Sequence, residues 1–271
     1  MTGSLTLFES VFLGIVQGLT EFLPVSSSGH LVLARHLFDM PQVPLLFDVT
    51  LHVATLIVVL FFYRLYVWNI ARALFAFLKG RADKDDYGYL RILLNLFLAT
   101  CATVAVALVL RKILPEKESV SQVAVLMYVT AALLLYKPVV KKEGTVHGMR
   151  VSQALIVGVA QGFGTLAGIS RSGVTITASY AAGLARTEAG TFSFLLSIPA
   201  ILGALVLTLV SACGESASVS TPALFIGSIS AAIVGFFSLK MLLWVIEKAK
   251  LWYFSIYLVC ASTLLLLFAQ S

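Results

Sequence analysis

Apolar residues run along this chain in long stretches, and polar residues interrupt them at a few places. Runs of roughly 20 apolar residues predict membrane-spanning helices. Six stretches fit: Leu45–Tyr63, Ile92–Leu110, Val120–Tyr136, Thr187–Cys213, Pro222–Trp244 and Trp252–Ala269. Two others are broken. Leu5–Leu23 contains Gln17 and Glu21, and the apolar pattern resumes only briefly at Leu31–Phe38. Val151–Ile169 contains Gln161, Gly162, Gly164 and Gly168, then gives way to SRSGVTIT and a short helix to Ala185. Each broken stretch predicts a re-entrant helical hairpin. In the first, QGLTEFLPVSSSGH, Pro24 removes a backbone donor, Gly29 permits unusual dihedrals and the serines compete for helical hydrogen bonds. A broken helix inside a bilayer must be packed in protein or line a wet cavity. Between Arg64 and Arg91 the pattern turns amphipathic and then polar, which predicts a loop or an interfacial helix.

Composition sharpens this picture. The 271 residues are 59% hydrophobic and 12% charged, about half the charge of a soluble domain. The fold class expected is an all-α polytopic membrane protein; the short alternating segments of a barrel are absent. The net charge of +6 fits cytoplasmic loop bias and anionic lipid contact, and it does not require nucleic acid. Cys101, Cys213 and Cys260 lack ligand spacing and are expected to be buried small hydrophobes. The N-terminal region lacks a basic leader and a cleavage site, so no removable signal peptide is expected.

A shift of 144 positions lays GIVQGLTEFLPVSSSGH over GVAQGFGTLAGISRSGV. Gly14, Gln17, Gly18, Ser26, Ser28 and Gly29 fall on Gly158, Gln161, Gly162, Ser170, Ser172 and Gly173. The chain thus reads as one transmembrane domain, 1–271, with repeat one at about 1–136, a cytoplasmic linker at 137–150 and repeat two at about 151–271. Placing residues 64–91, 137–150 and 245–251 on one side puts twelve Lys and Arg there, against three in 38–44, 111–119 and 214–221. The basic side is expected to be cytoplasmic. Three spans separate the hairpins, so they should enter from opposite sides. The expectation is an inverted-topology repeat whose two tips meet near the bilayer midplane.

Those tips would bring Glu21, His30 and Arg171 together with hydroxyls. A charge at such depth costs a few kcal/mol and usually marks a site. Arg171 offers a planar donor fork suited to phosphate, and SRSG before a helix start suits an anion. The substrate-binding candidates are Gln17, Ser26, Ser28, Ser170, Ser172, Gly173 and Thr175. The catalytic candidates are Glu21, His30, Arg171 and Ser27. Glu21 could hold a divalent cation, act as a base, or orient His30. His30 could be a nucleophile or an acid/base group, and Ser27 is a competing nucleophile. The plainer alternative is a Glu21–Arg171 pair that braces the repeats. Gln17 and Gln161 are equally readable as structural, each bonding the opposite tip. His36 and His52 read as packing residues, His147 as a loop residue, Asp48 as a neighbour of the first hairpin and Glu9 as a helix-end group.

QGLTEFLPVSSSGH and GISRSGVTIT resemble the two signature motifs of the bacterial undecaprenyl-diphosphatase family, also called bacitracin-resistance proteins. The resemblance covers essentially the whole chain. It implies a phosphatase that hydrolyses undecaprenyl diphosphate to the monophosphate and phosphate, recycling the lipid carrier of peptidoglycan and cell-wall synthesis. It implies Glu21, Ser26 to Ser28, His30 and Arg171 as the family's site positions. It implies Mg²⁺, or another divalent cation such as Ca²⁺, with Glu21 as a ligand. Many members carry a second glutamate where this chain has Gln17. The family likeness also implies a multi-pass protein of the bacterial cytoplasmic (inner) membrane with its site open to the extracytoplasmic side. Its partners would be the polyprenyl diphosphate and membrane lipids, and a homo-oligomer stays open. Inverted repeats with midplane charges equally describe an ion-coupled transporter or a lipid flippase, and the blandest reading is a lipid-binding scaffold.

Overall fold

The computed structural model describes residues 5–38, 40, 43, 45–114, 119–136, 142–212 and 220–268. Cys213, residues 137–141 of the linker and the tips of two loops lie outside them. The described residues form eleven helices and no strand; one isolated bridge joins Gly144 to Leu184. The chain is an all-α polytopic membrane protein.

The first hairpin comprises α1 (Leu7–Phe22) and α2 (Ser27–Leu37). A capping box starts α1: Glu9 N–H donates to Thr6 Oγ at 3.2 Å and the Glu9 carboxylate accepts from Thr6 N–H at 2.7 Å. The helix ends ahead of Pro24, as a residue preceding proline leaves the helical region. Next come α3 (Leu45–Phe62), α4 (Arg64–Leu78), α5 (Lys84–Ile113) and α6 (Val120–Leu134). The second hairpin is α7 (Val151–Phe163) with α8 (Arg171–Ala181); α9 (Arg186–Ala212), α10 (Thr221–Glu247) and α11 (Trp252–Phe268) follow.

Only α3, α5, α9 and α10 have the length and apolarity to cross a membrane among the described residues. The expected spans α6 and α11 are shorter, with 15 and 17 residues. The polar run before Arg91 is not a loop. Its end forms the first turns of α5, because Asp83 and Asp86 make a capping box that lets the helix begin at Lys84. The preceding amphipathic stretch is α4, held to α5 by an Arg72–Asp86 pair at 3.3 Å and an Asn69–Tyr89 bond at 3.0 Å.

Equivalent glycines set equivalent packing. α1 lies along α10 and α7 lies along α5. A Cβ on Gly14 would meet the Gly227 carbonyl oxygen at 2.3 Å, and one on Gly18 would meet that of Ala231 at 2.6 Å. In the second hairpin, a Cβ on Gly158 would meet the Ala99 oxygen at 2.2 Å, and one on Gly162 would meet Val106 Cβ at 2.4 Å. Small residues four apart let helix backbones touch, and in lipid such packing drives association. Each broken helix therefore sits against a helix from the other half of the chain. α3 packs on α9, and α6 on α11.

Two expectations about single residues fail here. Cys101 and Cys260 are exposed rather than buried, on helix faces with other exposed apolar residues; both are free thiols. His36 is exposed in the last turn of α2, so it is no packing residue. His147 does sit in a loop, where its ring lies 4.9 Å from that of Tyr89.

This packing predicts that Gly158→Ala lowers the thermal stability of the detergent-solubilised protein by about 1–3 kcal/mol, the usual cost of overpacking. Gly203→Ala, with nothing within 4 Å of the new methyl, should leave the unfolding temperature unchanged or slightly raised.

Candidate active site

The two hairpin tips touch. The turn between α1 and α2 places Ser26 so that its Oγ accepts from Gly168 N–H of the other tip at 2.9 Å and from Gly29 N–H at 3.3 Å. The turn between α7 and α8 is tied to α6, where Thr130 Oγ donates to the Gly168 carbonyl and accepts from Ser170 N–H, both at 3.0 Å. A second link between the hairpins is an ion pair of Arg171 with Glu21 Oε1.

Glu21 is the hub. Its side chain is 3% exposed, so its charge is balanced by protein groups. Oε2 accepts from Ser27 Oγ at 2.6 Å and from Gln17 Nε2 at 2.9 Å, and lies 3.4 Å from His52 Nε2. His52 Nδ1 donates to the Asp48 carbonyl at 2.8 Å, which turns Nε2 toward the carboxylate. The Asp48 side chain pairs in turn with Arg35. Removing either partner of the Glu21–Arg171 pair would strand a buried charge, a loss of about 3–5 kcal/mol.

A cavity of about 380 Å³ opens on this network. Its polar wall includes Glu21, Ser27, Ser28, Asp48, His52, Ser170 and Arg171; its apolar wall includes Leu45, Val49, Ile169, Ile201 and Ala204. Ser27 and Ser28 are the first residues of α2, and Arg171 is the first of α8. Two helix N-termini thus reach one cavity, each presenting backbone amides and a positive dipole end. Such a wall, with Arg171, has the chemistry to suit a multiply charged anion. Ser27 Oγ donates to a carboxylate, the pairing by which a base could activate a hydroxyl.

The remaining candidates divide sharply. Ser28 and Ser170 line the cavity, although Ser170 Oγ also caps α8 by accepting from Gly173 N–H at 3.1 Å. Ser26 is consumed by the tie between tips. Ser172 is buried against Ser170 Oγ at 3.2 Å, and Thr175 Oγ is 2.5 Å from Ser193 Oγ. Gly173 is buried, packed toward Pro24. None of Gln17, Ser26, Ser172, Gly173, Thr175 or His30 lines the cavity. Gln17 bonds Glu21 on its own helix, and Gln161 donates to Thr103 Oγ of α5 at 3.2 Å, so neither of these bonds reaches the opposite tip.

His30 and His52 exchange the places that the sequence suggests. His30 sits on α2 with both ring nitrogens engaged away from the cavity, to the Ser26 carbonyl at 2.8 Å and Tyr257 OH at 2.7 Å. His52, expected to be packing, faces Glu21. The signal available for it is Asp48 and His52 one turn apart in an otherwise apolar helix.

Among the described residues, no group of three or more His, Cys, Asp or Glu side chains could hold a metal alone. The donors facing the cavity include hard oxygens of Glu21, Asp48, Ser27 and Ser28. Such a set fits Mg²⁺ or Ca²⁺ when substrate phosphates complete the shell, which is how Mg²⁺ is usually held.

Comparison with known proteins places the chain in a family. The family model described as bacitracin resistance protein BacA matches residues 10–264. Among similar proteins, the undecaprenyl-diphosphatase of Treponema denticola is 40% identical over 255 residues, covering 94% of each chain. The proteins of the same name from Desulfosudis oleivorans and Borrelia hermsii are 38% and 32% identical, each over 92% of this chain and 93% and 94% of their own. With one family model spanning both hairpins and relatives matching nearly end to end, the chain belongs to the bacitracin resistance protein BacA family.

Proposed function

We propose that this chain is an undecaprenyl diphosphatase, hydrolysing undecaprenyl diphosphate to undecaprenyl phosphate and inorganic phosphate in the bacterial inner membrane. The observation that carries the reading is the shared cavity, where Arg171, two helix N-termini and the Ser27–Glu21 pair face one space. In-line phosphoryl transfer needs positioning and charge stabilisation more than covalent chemistry from the protein, and this wall supplies both.

In the proposed reaction, Arg171, Ser28 and Ser170 hold the diphosphate. Ser27 Oγ attacks the terminal phosphorus and passes its proton to Glu21, while the bond to the bridging oxygen breaks and undecaprenyl phosphate leaves. Water then cleaves the phosphoserine. His52, whose Nε2 lies 3.4 Å from the same Glu21 Oε2, relays that proton from the carboxylate. Glu21 and Asp48 would hold Mg²⁺ jointly with the diphosphate oxygens, and the cation would offset the charge that develops there. The prenyl chain leaves through the apolar wall between α3 and α9, where Leu45 and Ala204 are exposed at the rim. Leu45 opens α3 directly after a loop with no Lys or Arg, and Ala204 lies about 27 Å along α9 from basic Arg186. Both features support a mouth toward the extracytoplasmic side. No observation favours the transporter reading: the cavity wall supports phosphate chemistry, and hydrolysis needs no gradient.

In detergent solution the purified protein should release inorganic phosphate from a prenyl diphosphate. Arg171→Lys and Glu21→Gln should each cut kcat by about 10²–10³-fold, the scale of losing one charge-stabilising group. His52→Ala should cost about 10²-fold, the low end of the scale for an acid–base group. Chelation of divalent cations should stop phosphate release, and added Mg²⁺ should restore it. Turnover by Arg171→Lys or Glu21→Gln near the wild-type rate would reject the site.

A further inference from the structure

Tyr257 does not line the cavity and belongs to α11, yet it is joined to the catalytic turn through His30. His30 is 8% exposed. Its Nδ1 lies 2.8 Å from the Ser26 carbonyl, which only accepts, so Nδ1 carries the hydrogen. In the neutral ring Nε2 is then the lone-pair nitrogen, which accepts from Tyr257 OH at 2.7 Å. The two rings lie nearly parallel, 13° apart with centroids separated by 5.7 Å. Tyr257 itself is 47% exposed, an apolar ring turned outward with its hydroxyl turned in.

The other end of this connection is strained. Ser26 has φ of 69°, one of two non-glycine residues at positive φ among the described residues. An L-residue holds that conformation only when its surroundings impose it. At Ser26 four hydrogen bonds do so. Its Oγ accepts from Gly29 and Gly168, and its carbonyl accepts both the His30 backbone N–H at 3.1 Å and the His30 ring. The next residue is Ser27, whose Oγ sits 2.6 Å from Glu21.

We propose that Tyr257 is a positioning residue for the reaction: by fixing the tautomer and ring angle of His30, it holds the strained Ser26 peptide and so aims Ser27 Oγ at the terminal phosphorus. His30 then serves as the middle of a brace rather than as an acid or base. Both of its ring nitrogens are already spent, and neither faces the cavity. The brace crosses between the two halves of the chain, so α11 contributes to a turn that holds His30, 227 positions away. Loss of the hydroxyl should leave diphosphate binding intact, because Arg171 and the two helix N-termini remain. It should reduce the fraction of Ser27 held in line.

This inference rests on the proposed phosphatase reading, and the test separates the two. Wild type, Tyr257→Phe, His30→Asn and the double variant are purified in detergent, and kcat and KM for phosphate release from a prenyl diphosphate are measured with Mg²⁺ present. Thermal unfolding is recorded for each. The asparagine side chain keeps an amide N–H near the Nδ1 position, so His30→Asn retains the Ser26 bond while losing contact with Tyr257. Tyr257→Phe should lower kcat roughly threefold to tenfold, the kinetic equivalent of one hydrogen bond, with KM within about twofold. In the His30→Asn background the same change should have no further effect. Unchanged kcat in Tyr257→Phe, with or without a lower unfolding temperature, overturns the proposal. So does an equal loss in the His30→Asn background, since Tyr257 would then act without His30. If Tyr257→Phe does not accumulate, His30→Asn alone decides: the same fall in kcat at constant KM supports the brace, and wild-type kcat overturns it. Wild-type protein that releases no phosphate rejects the phosphatase reading instead.

Discussion

One buried ion pair determines how this molecule is put together. Glu21 comes from the first hairpin and Arg171 from the second, 150 positions later. Ionised groups among apolar helices are costly unless paired, so their pairing favours a fold in which the two tips meet. The pair also lies on the wall of the cavity, which makes the folding constraint and the chemistry the same contact. An incoming diphosphate would compete for Arg171 and find Glu21 already supported by Gln17, Ser27 and His52. The site can therefore exchange a protein carboxylate for a phosphate without leaving either charge uncompensated.

Bringing the tips together depends on close helix contact elsewhere. Gly14 and Gly18 press α1 onto α10, and Gly158 and Gly162 press α7 onto α5. These pairs cross between the two halves of the chain, so each half scaffolds the broken helix of the other. Serine and threonine hydroxyls complete the turns. Ser26 links tip to tip, and Thr130 holds the second tip to α6. Polar atoms that would be costly in lipid are absorbed locally, which is the condition for irregular backbone inside a membrane protein.

How much of this is legible in the sequence follows from the physics of each signal. A carboxylate and a guanidinium inside apolar sequence are so costly that their pairing can be read from position alone. The repeated glycines are legible as a pattern, though their contact partners are not, because helix pairing is set by three-dimensional packing. Serines are the weak point. A serine that caps a helix and a serine that holds a ligand have the same sequence signature, and Ser26, Ser172 and Thr175 are internal ties. The histidines are weaker still. His30 is close to Glu21 along the chain, but α2 directs it to Tyr257. His52 is 31 positions from Glu21 along the chain, and α3 brings it to 3.4 Å from the carboxylate. Proximity in sequence misleads because the chain turns at Pro24. The start of α5 also departs from the apolar run, since it follows the Asp83 cap rather than hydropathy.

In the proposed reaction Arg171 exchanges the Glu21 carboxylate for the diphosphate within one site. A double-mutant cycle on binding tests it most directly, using a non-hydrolysable prenyl diphosphonate with wild type, Glu21→Gln, Arg171→Met and the double variant. Exchange at one site predicts that Arg171→Met weakens binding, that Glu21→Gln tightens it when Arg171 is present, and that Glu21→Gln has no such effect in the Arg171→Met background. Strictly additive effects would mean that the two residues act at separate places, and would contradict the account.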